Sequence, residues 1–262
     1  MTTQRQSVGN EQFFTEHKTA KRLSNFLKKQ KWFKEISIIV EPSAGDGAWL
    51  PYLDVDLAYD IEPNHEDVIK VEDFLKMPTE RFYYKKGKKV LITSKSTKEE
   101  ISKSTCLIEE DFRKLNKTGK VLYIGNPPFG SMGRLAKMFI NACAVHGDYI
   151  AFILPASLAK ITQIRQLNKN LHLIHQEDLL TEKFRFERDG KVVSTVFQIW
   201  EMRKEERKDP IRPKKMQCED FSFIATREVT PKQTAQVIID ELIKKQLFFS
   251  EDQLEEILKS NK

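Results

Sequence analysis

The sequence predicts an α/β chain built on a doubly wound, mostly parallel sheet, and three observations carry that expectation. Short β-rich runs alternate with helix-periodic stretches, the pattern left by strands joined through crossover helices. The first apolar run, "ISIIV" (36–40), is followed at once by a glycine-bearing turn, "EPSAGDG" (41–47). A later run, "VLYI" (121–124), is stopped by "GNPPFG" (125–130). Proline cannot donate to a sheet ladder and holds the residue before it extended, so that loop leaves the sheet with carbonyl groups free to accept hydrogen bonds.

In chain order, a helix is expected near 16–31, then the strand at 36–40 and the glycine turn, which should open into a second helix. "VDLAY" (55–59) reads as the next strand and runs into "DIEP". After the strand at 121–124, the stretch 131–146 is helix-periodic, with Leu135, Met138, Phe139 and Ala142 on one face. "YIAFIL" (149–154), "LHLIH" (171–175) and "VVSTVFQIW" (192–200) read as late strands. Helices near 231–246 and 251–259 follow a basic, proline-containing stretch. The organisation expected is therefore one α/β domain over 1–202, carrying a lysine-rich, partly hairpin-like insertion at 79–105, and a basic linker with a helical extension over 203–262.

Composition bounds the partners. The 262 residues are 40% apolar and 31% charged, enough for one well-filled domain with an appendage. Cys106, Cys143 and Cys218 are far apart and show no C-x-x-C spacing, which argues against a disulfide framework and a structural zinc; no metal is expected. No run has the length of a membrane span and the first residues lack a signal-peptide core, so a cytoplasmic or nuclear location without membrane contact is expected. The formal charge of +6 is concentrated: residues 85–103 hold seven lysines and 203–215 hold seven Lys or Arg. Lys85, Lys86, Lys88, Lys89, Lys214 and Lys215 are candidate phosphate contacts, with a solvated surface as the alternative.

The glycine turn carries the first chemistry. Gly45 and Gly47 let the backbone turn sharply and a ligand come close, as a nucleotide-type cofactor requires at the carboxyl end of a parallel sheet. A dinucleotide fingerprint needs a third glycine where Leu50 stands, and no Gly-Lys-Ser/Thr follows for a phosphate-binding loop. Glu41 at the strand end suits a cofactor bearing an ammonium and a sulfonium better than one bearing phosphates. Asp60, closing the next strand, has two acceptor oxygens at the separation of two ribose hydroxyls; Glu62 would replace it if the register slipped. Asp73 and Phe74 in "EDFLK" pair an acceptor for an exocyclic amine with an apolar wall, with a helix cap before a core Phe as the alternative. Asp111 and Phe112 form a second such pair, and Asp73 is preferred because it follows Asp60 by one short element.

Taken in order, "EPSAGDG", "YDIEP", "EDFLK" and "GNPPFG" resemble the class I S-adenosylmethionine-dependent methyltransferases, and among them the amino-methyltransferases that modify N6 of adenine in DNA or RNA, with phage and viral examples similar in arrangement. The resemblance covers roughly 10–202. It implies a seven-stranded Rossmann-like sheet and S-adenosylmethionine as cofactor. It implies that Asn126, Pro127, Pro128 and Phe129 are the catalytic tetrad, with Asn126 also near the cofactor. Upstream, "NEQFFTEHKTAKRL" is similar to the segment preceding the cofactor loop, which implies Phe14 and Thr15 near the methionine end; Glu16 stands where the family usually has proline. Glu41, Ser43, Gly45, Gly47, Asp60, Ile61, Asp73 and Phe74 are the remaining implied cofactor contacts. The implied partner is nucleic acid, with a specificity or partner subunit as a further possibility. Methylation of another planar amine, guanine N2 in structured RNA or a protein glutamine, and a non-catalytic partner subunit are the alternatives.

Overall fold

Most of the apolar runs become strands whose two faces are both buried. In the computed structural model, which describes residues 13–179, 185–186 and 194–208, the central sheet has seven strands in the spatial order β4-β3-β2-β7-β8-β11-β9. These are β2 (Ile36–Glu41), β3 (Leu57–Asp60), β4 (Ile69–Lys70), β7 (Lys120–Gly125), β8 (Tyr149–Pro155), β9 (Leu171–Asp178) and β11 (Thr195–Met202). β4, β3, β2, β7 and β8 pair in parallel, and β11 runs antiparallel to both β8 and β9. The doubly wound, mostly parallel sheet expected from the sequence is what the chain forms.

Successive side chains of a strand point to opposite faces, so each strand feeds two cores. Ile38, Val40, Tyr123, Ile150, Phe152 and Trp200 pack on one face with Phe74 and with Phe139 of α4 (Arg134–Cys143). Ile39, Leu122, Ile124, Ala151, Ile153 and Phe197 pack on the other with Leu23 and Leu27 of α1 (His17–Lys28) and with Trp49. Near-continuous apolar runs are the signature of a parallel sheet covered on both sides.

Several expectations are corrected. The turn after β2 does not open into a helix; residues 45–52 form successive hydrogen-bonded turns. Pro51 has no N–H for a second helical turn and disfavours helical geometry at Leu50. On α4, Phe139 and Ala142 are buried as expected, joined by Ala136, Ile140 and Cys143, while Leu135 and Met138 are 37% and 42% exposed. The expected and the observed stripe both have helical spacing, and the one carrying Ile140 and Cys143 faces the sheet. β4, two residues long, and α3 (Leu107–Leu115) were not expected as elements.

Residues 79–105 include β5 (Phe82–Lys85) and β6 (Lys88–Leu91), an antiparallel hairpin, then α2 (Lys98–Ser102). Lys86 and Gly87, at φ 50° and 76°, make its two-residue turn, the left-handed pair whose twist matches flanking strands. A short pair, β1 (Phe13–Phe14) with β10 (Arg185–Phe186), completes the strands, and α5 (Ile161–Ile164) lies between β8 and β9. Lys214, Lys215, Cys218 and the helices expected at 231–246 and 251–259 lie outside the described residues. No helix among the described residues is long and apolar enough to cross a membrane.

Candidate functional site

Chain order reverses about β2. From it the chain goes to β3 and β4 on one side, and to β7 and β8 on the other. Loops leaving the carboxyl ends of β2 and β7 therefore diverge around a crevice, where open α/β sheets bind their ligands. The glycine turn and the Asn-Pro-Pro loop are those two loops. Between them lies a cavity of about 570 Å³, within the size range of small-molecule sites.

From the first loop, Glu41, Ser43 and Gly45 line the cavity. Gly45 sits at φ 53°, and a Cβ there would lie 3.0 Å from the ring of Phe14, so the turn requires glycine for both conformation and space. Phe14 and Thr15 form the adjoining wall, with Thr15 4% exposed. Asp60 ends β3 and ties the loop down: its Oδ2 accepts from Gly45 N–H at 2.8 Å and its Oδ1 from Glu62 N–H at 2.9 Å. Each oxygen keeps a second lone pair for a ligand. Asp60 and Ile61 line the cavity, whereas Glu62 and Gly47 do not.

Asp73 and Phe74 also reach it. Asp73 caps a short 3-10 turn, accepting from Leu75 N–H at 3.0 Å. Phe74 is 2% exposed and stacks on Phe139 with centroids 5.9 Å apart, so it serves the core and the cavity wall together. Asp111 sits on α3, bonded to Tyr59 Oη at 2.7 Å and to Lys114 at 2.7 Å, and is absent from the lining.

From the second loop, Asn126, Pro127 and Pro128 line the cavity. Gly125, at φ 149°, lets the chain leave β7 beside Glu41, whose Cγ would be 3.5 Å from any Cβ. Phe129 is 5% exposed and does not line the cavity; its carbonyl accepts from Leu135 and Ala136 N–H at the start of α4. Among residues the sequence reading missed are Asp46, Trp49, Ser131 and Leu135. Asp46 belongs to the glycine turn already singled out and Ser131 directly follows the "GNPPFG" loop, but nothing in the local pattern turns Trp49 or Leu135 toward this space.

The electrostatics are one-sided. Glu41, Asp46, Asp60 and Asp73 line the cavity and, among the described residues, no Lys or Arg does. Glu41 is 2% exposed, and its Oε2 has no hydrogen-bond partner among the described residues. Burial pushes its carboxyl well above the ordinary range, and the charges of Asp46 and Asp60 push it further. A buried, unsatisfied carboxyl is costly, so the site is built to receive a cation or a donor.

No family model and no curated relative matches the chain. Solved structures that resemble it include the following three. One is described as a candidate RNA methyltransferase from Pyrococcus horikoshii, at 13% identity and TM-score 0.39, covering 77% of this chain and 92% of that one. A second is the 23S rRNA methyltransferase ErmE, at 12% identity and TM-score 0.40, covering 74% and 71%. A third is described as a candidate class I S-adenosylmethionine-dependent methyltransferase from Listeria monocytogenes, at 14% identity and TM-score 0.44, covering 79% and 66%.

Proposed function

We propose that the chain is an S-adenosylmethionine-dependent methyltransferase acting on the exocyclic N6 amine of adenine in nucleic acid. One observation carries the reading: a cavity lined, among the described residues, by four carboxylates and no cation, with Glu41 Oε2 buried and lacking a described partner, opens onto the Asn-Pro-Pro loop at the point where the sheet reverses. The residues fit the cofactor. Glu41 and Asp46 favour its ammonium end, Asp60 its ribose hydroxyls, and Asp73 with Phe74 its adenine. The same lining disfavours a cofactor held by its phosphates.

Bound there, the cofactor supplies an electrophilic methyl group on a cationic sulfur. The chain's own task is the amine, whose lone pair is delocalised into the ring. The Asn126 side-chain oxygen and the Pro127 carbonyl accept its two hydrogens and draw the lone pair toward the methyl group; this orientation contributes several kcal/mol to lowering the barrier. Asn leaves the acceptor uncharged, which suits a neutral amine, and the proton set free by methylation passes to water. Phe129 is assigned to stacking on the base, and its burial means that its ring must turn outward when the base enters. An adenine in a duplex would be flipped from the stack to reach the loop. The exposed lysines of the β5–β6 turn are assigned to the flanking phosphates, and any selectivity supplied by a partner subunit acts beyond this cavity.

The test is digestion of treated DNA and RNA to nucleosides with mass spectrometry for methylated bases, beside calorimetry with S-adenosylmethionine. Adenine methylated at N6 is the expected product. Methylguanine, or methylated protein glutamine with unmodified nucleic acid, would replace the substrate assignment. Absence of cofactor binding would overturn the reading as a whole.

A further inference from the structure

Away from the cavity, three side chains from separate parts of the sequence converge. Cys106 is the N-cap of α3 and is fully buried; Glu109 lies one turn on; His146 follows α4. Their ligand atoms all lie within 4.8 Å of one another. Cys106 Sγ is 3.4 Å from His146 Nε2, and Glu109 Oε1 is 4.0 Å from the same nitrogen. The Pro78 carbonyl oxygen is 3.2 Å from it. One imidazole nitrogen thus faces a thiol, a carboxylate and a carbonyl, and as a single N–H it serves only one of them fully. A tetrahedral zinc ion, with a sulfur bond of about 2.3 Å and a nitrogen bond of about 2.0 Å, requires a sulfur-to-nitrogen edge of about 3.5 Å.

We propose that Cys106, Glu109 and His146 bind one zinc ion, with the Pro78 carbonyl or a water as fourth ligand, and that the ion clamps the neck of the 79–105 insertion. Pro78 and Cys106 flank that insertion in sequence, and His146 belongs to the sheet-packed body. The outer shell is in place: Glu109 Oε1 accepts from Arg81 Nη1 at 3.0 Å, and Oε2 from Thr105 Oγ1 at 2.9 Å and Cys106 N–H at 3.3 Å. Such partners orient a ligating carboxylate. Arg81, and Arg113 at 3.9 Å from Glu109 Oε2, make the surroundings poor for a hard cation held by charge alone. Thiolate and imidazole bonding therefore selects zinc over magnesium or calcium. On binding, the Cys106 S–H bond breaks, a sulfur–metal bond forms and one proton leaves to solvent, while His146 binds as neutral imidazole. His146 and Glu109 are partly exposed and give the ion its path inward.

The experiment uses the full chain, stripped with a chelator and titrated with Co²⁺ and then Zn²⁺. One equivalent is expected, with a thiolate-to-cobalt charge-transfer band and the visible bands of a four-coordinate ion, both erased by zinc. C106S should lose the charge-transfer band, and C143S and C218S should keep it. H146Q should weaken binding by about tenfold or more while melting cooperatively without metal. If C106S fails to fold, the wild-type band together with its retention in C143S and C218S still assigns the thiolate. Absence of the band in wild type, its persistence in folded C106S, or unchanged affinity in H146Q would overturn the site. None of these readouts depends on methyl transfer.

Discussion

At the scale of single residues, the proposed reading divides the work between the Asn-Pro-Pro loop and Glu41, and their variants should fail differently. Asn126→Ala removes an acceptor used mainly in the transition state, so single-turnover rates should fall by about 100-fold or more with cofactor affinity nearly unchanged by calorimetry. Glu41→Gln should do the reverse, weakening the cofactor while stabilising the empty protein. The sign follows from the raised carboxyl of Glu41. The folded state holds this proton more tightly than the unfolded chain does, so stability is lost as pH rises from the ordinary carboxyl range toward the raised value. Denaturant melts of wild type without cofactor should weaken over that interval, and Glu41→Gln should flatten the trend; equal slopes would remove Glu41 as its source. Asp60→Ala should cost the cofactor roughly tenfold in affinity, about 1 to 3 kcal/mol, and should also loosen the turn at Gly45 that it anchors. Normal binding by Asp60→Ala with loss in Glu62→Ala would reassign the ribose contact. These positions were legible in sequence because glycine pairs, strand-end acids and Asn-Pro-Pro are uncommon patterns with few physical uses. The buried ring of Phe129 was not, since a loop's residue types do not fix which way its side chain turns. Nor was the Cys106–Glu109–His146 group, whose members meet only when α3 and α4 pack.

At the scale of elements, apolar runs of four to nine residues mark six strands, and for β2, β3, β7, β8 and β11 burial on both faces leaves little room for polar residues; β9 is a half-exposed edge strand marked only by Leu171, Leu173 and Ile174. β4 escaped notice: two half-polar residues, Ile69 and Lys70, both exposed, carry no pattern. α3 is hard to see in "LIEEDFRKL" because its single buried residue, Ile108, gives only a faint stripe. The hairpin β5–β6 lends itself to direct measurement. Lys85 pairs with Lys88 and Tyr84 with Lys89 across the ladder, which crowds like charge at the turn, an arrangement that phosphate would relieve. Lys89 Nζ also lies 3.9 Å from the centre of the Phe82 ring, so part of its charge is already engaged. Neutralising Lys85, Lys88 and Lys89 as Gln and Lys86 as Asn, which tolerates the left-handed turn, should weaken nucleic-acid binding about equally across sequences. The slope of log affinity against log salt should flatten by about three units, near one per lost phosphate contact. Titrations at two salt concentrations decide it, and an unchanged slope would return these lysines to a solvated surface. Methyl transfer at saturating substrate should hold, because none of the four lines the cavity.

At the scale of the whole molecule, the sheet and residues 79–105 are expected to be separable. No residue of 79–105 belongs to either core that sandwiches the sheet; the nearest contributors, Met77 and Cys106, stand just outside it. Apart from Arg81 and Thr105, which bond to residues of α3, the segment makes many of its contacts within itself. Phe82 meets Tyr84 edge-on, Tyr83 Oη donates to Glu100, and Arg81 grips the Ser104 carbonyl. Its two ends are already joined, because Phe82 and Thr105 exchange both backbone hydrogen bonds at 2.8 Å. A two-residue Asn-Gly link from Phe82 to Thr105 therefore replaces residues 83–104 without moving either flank. Calorimetry of this variant should show one cooperative transition, and addition of S-adenosylmethionine should still raise its midpoint, as any ligand selective for the folded state does. Its affinity for nucleic acid should fall, with a flatter salt slope than that of wild type. Loss of the cooperative transition would show that the insertion supports the sheet, and the lysines would then have to be read as part of the folding unit. Retained affinity would instead place the phosphate-binding surface elsewhere on the chain.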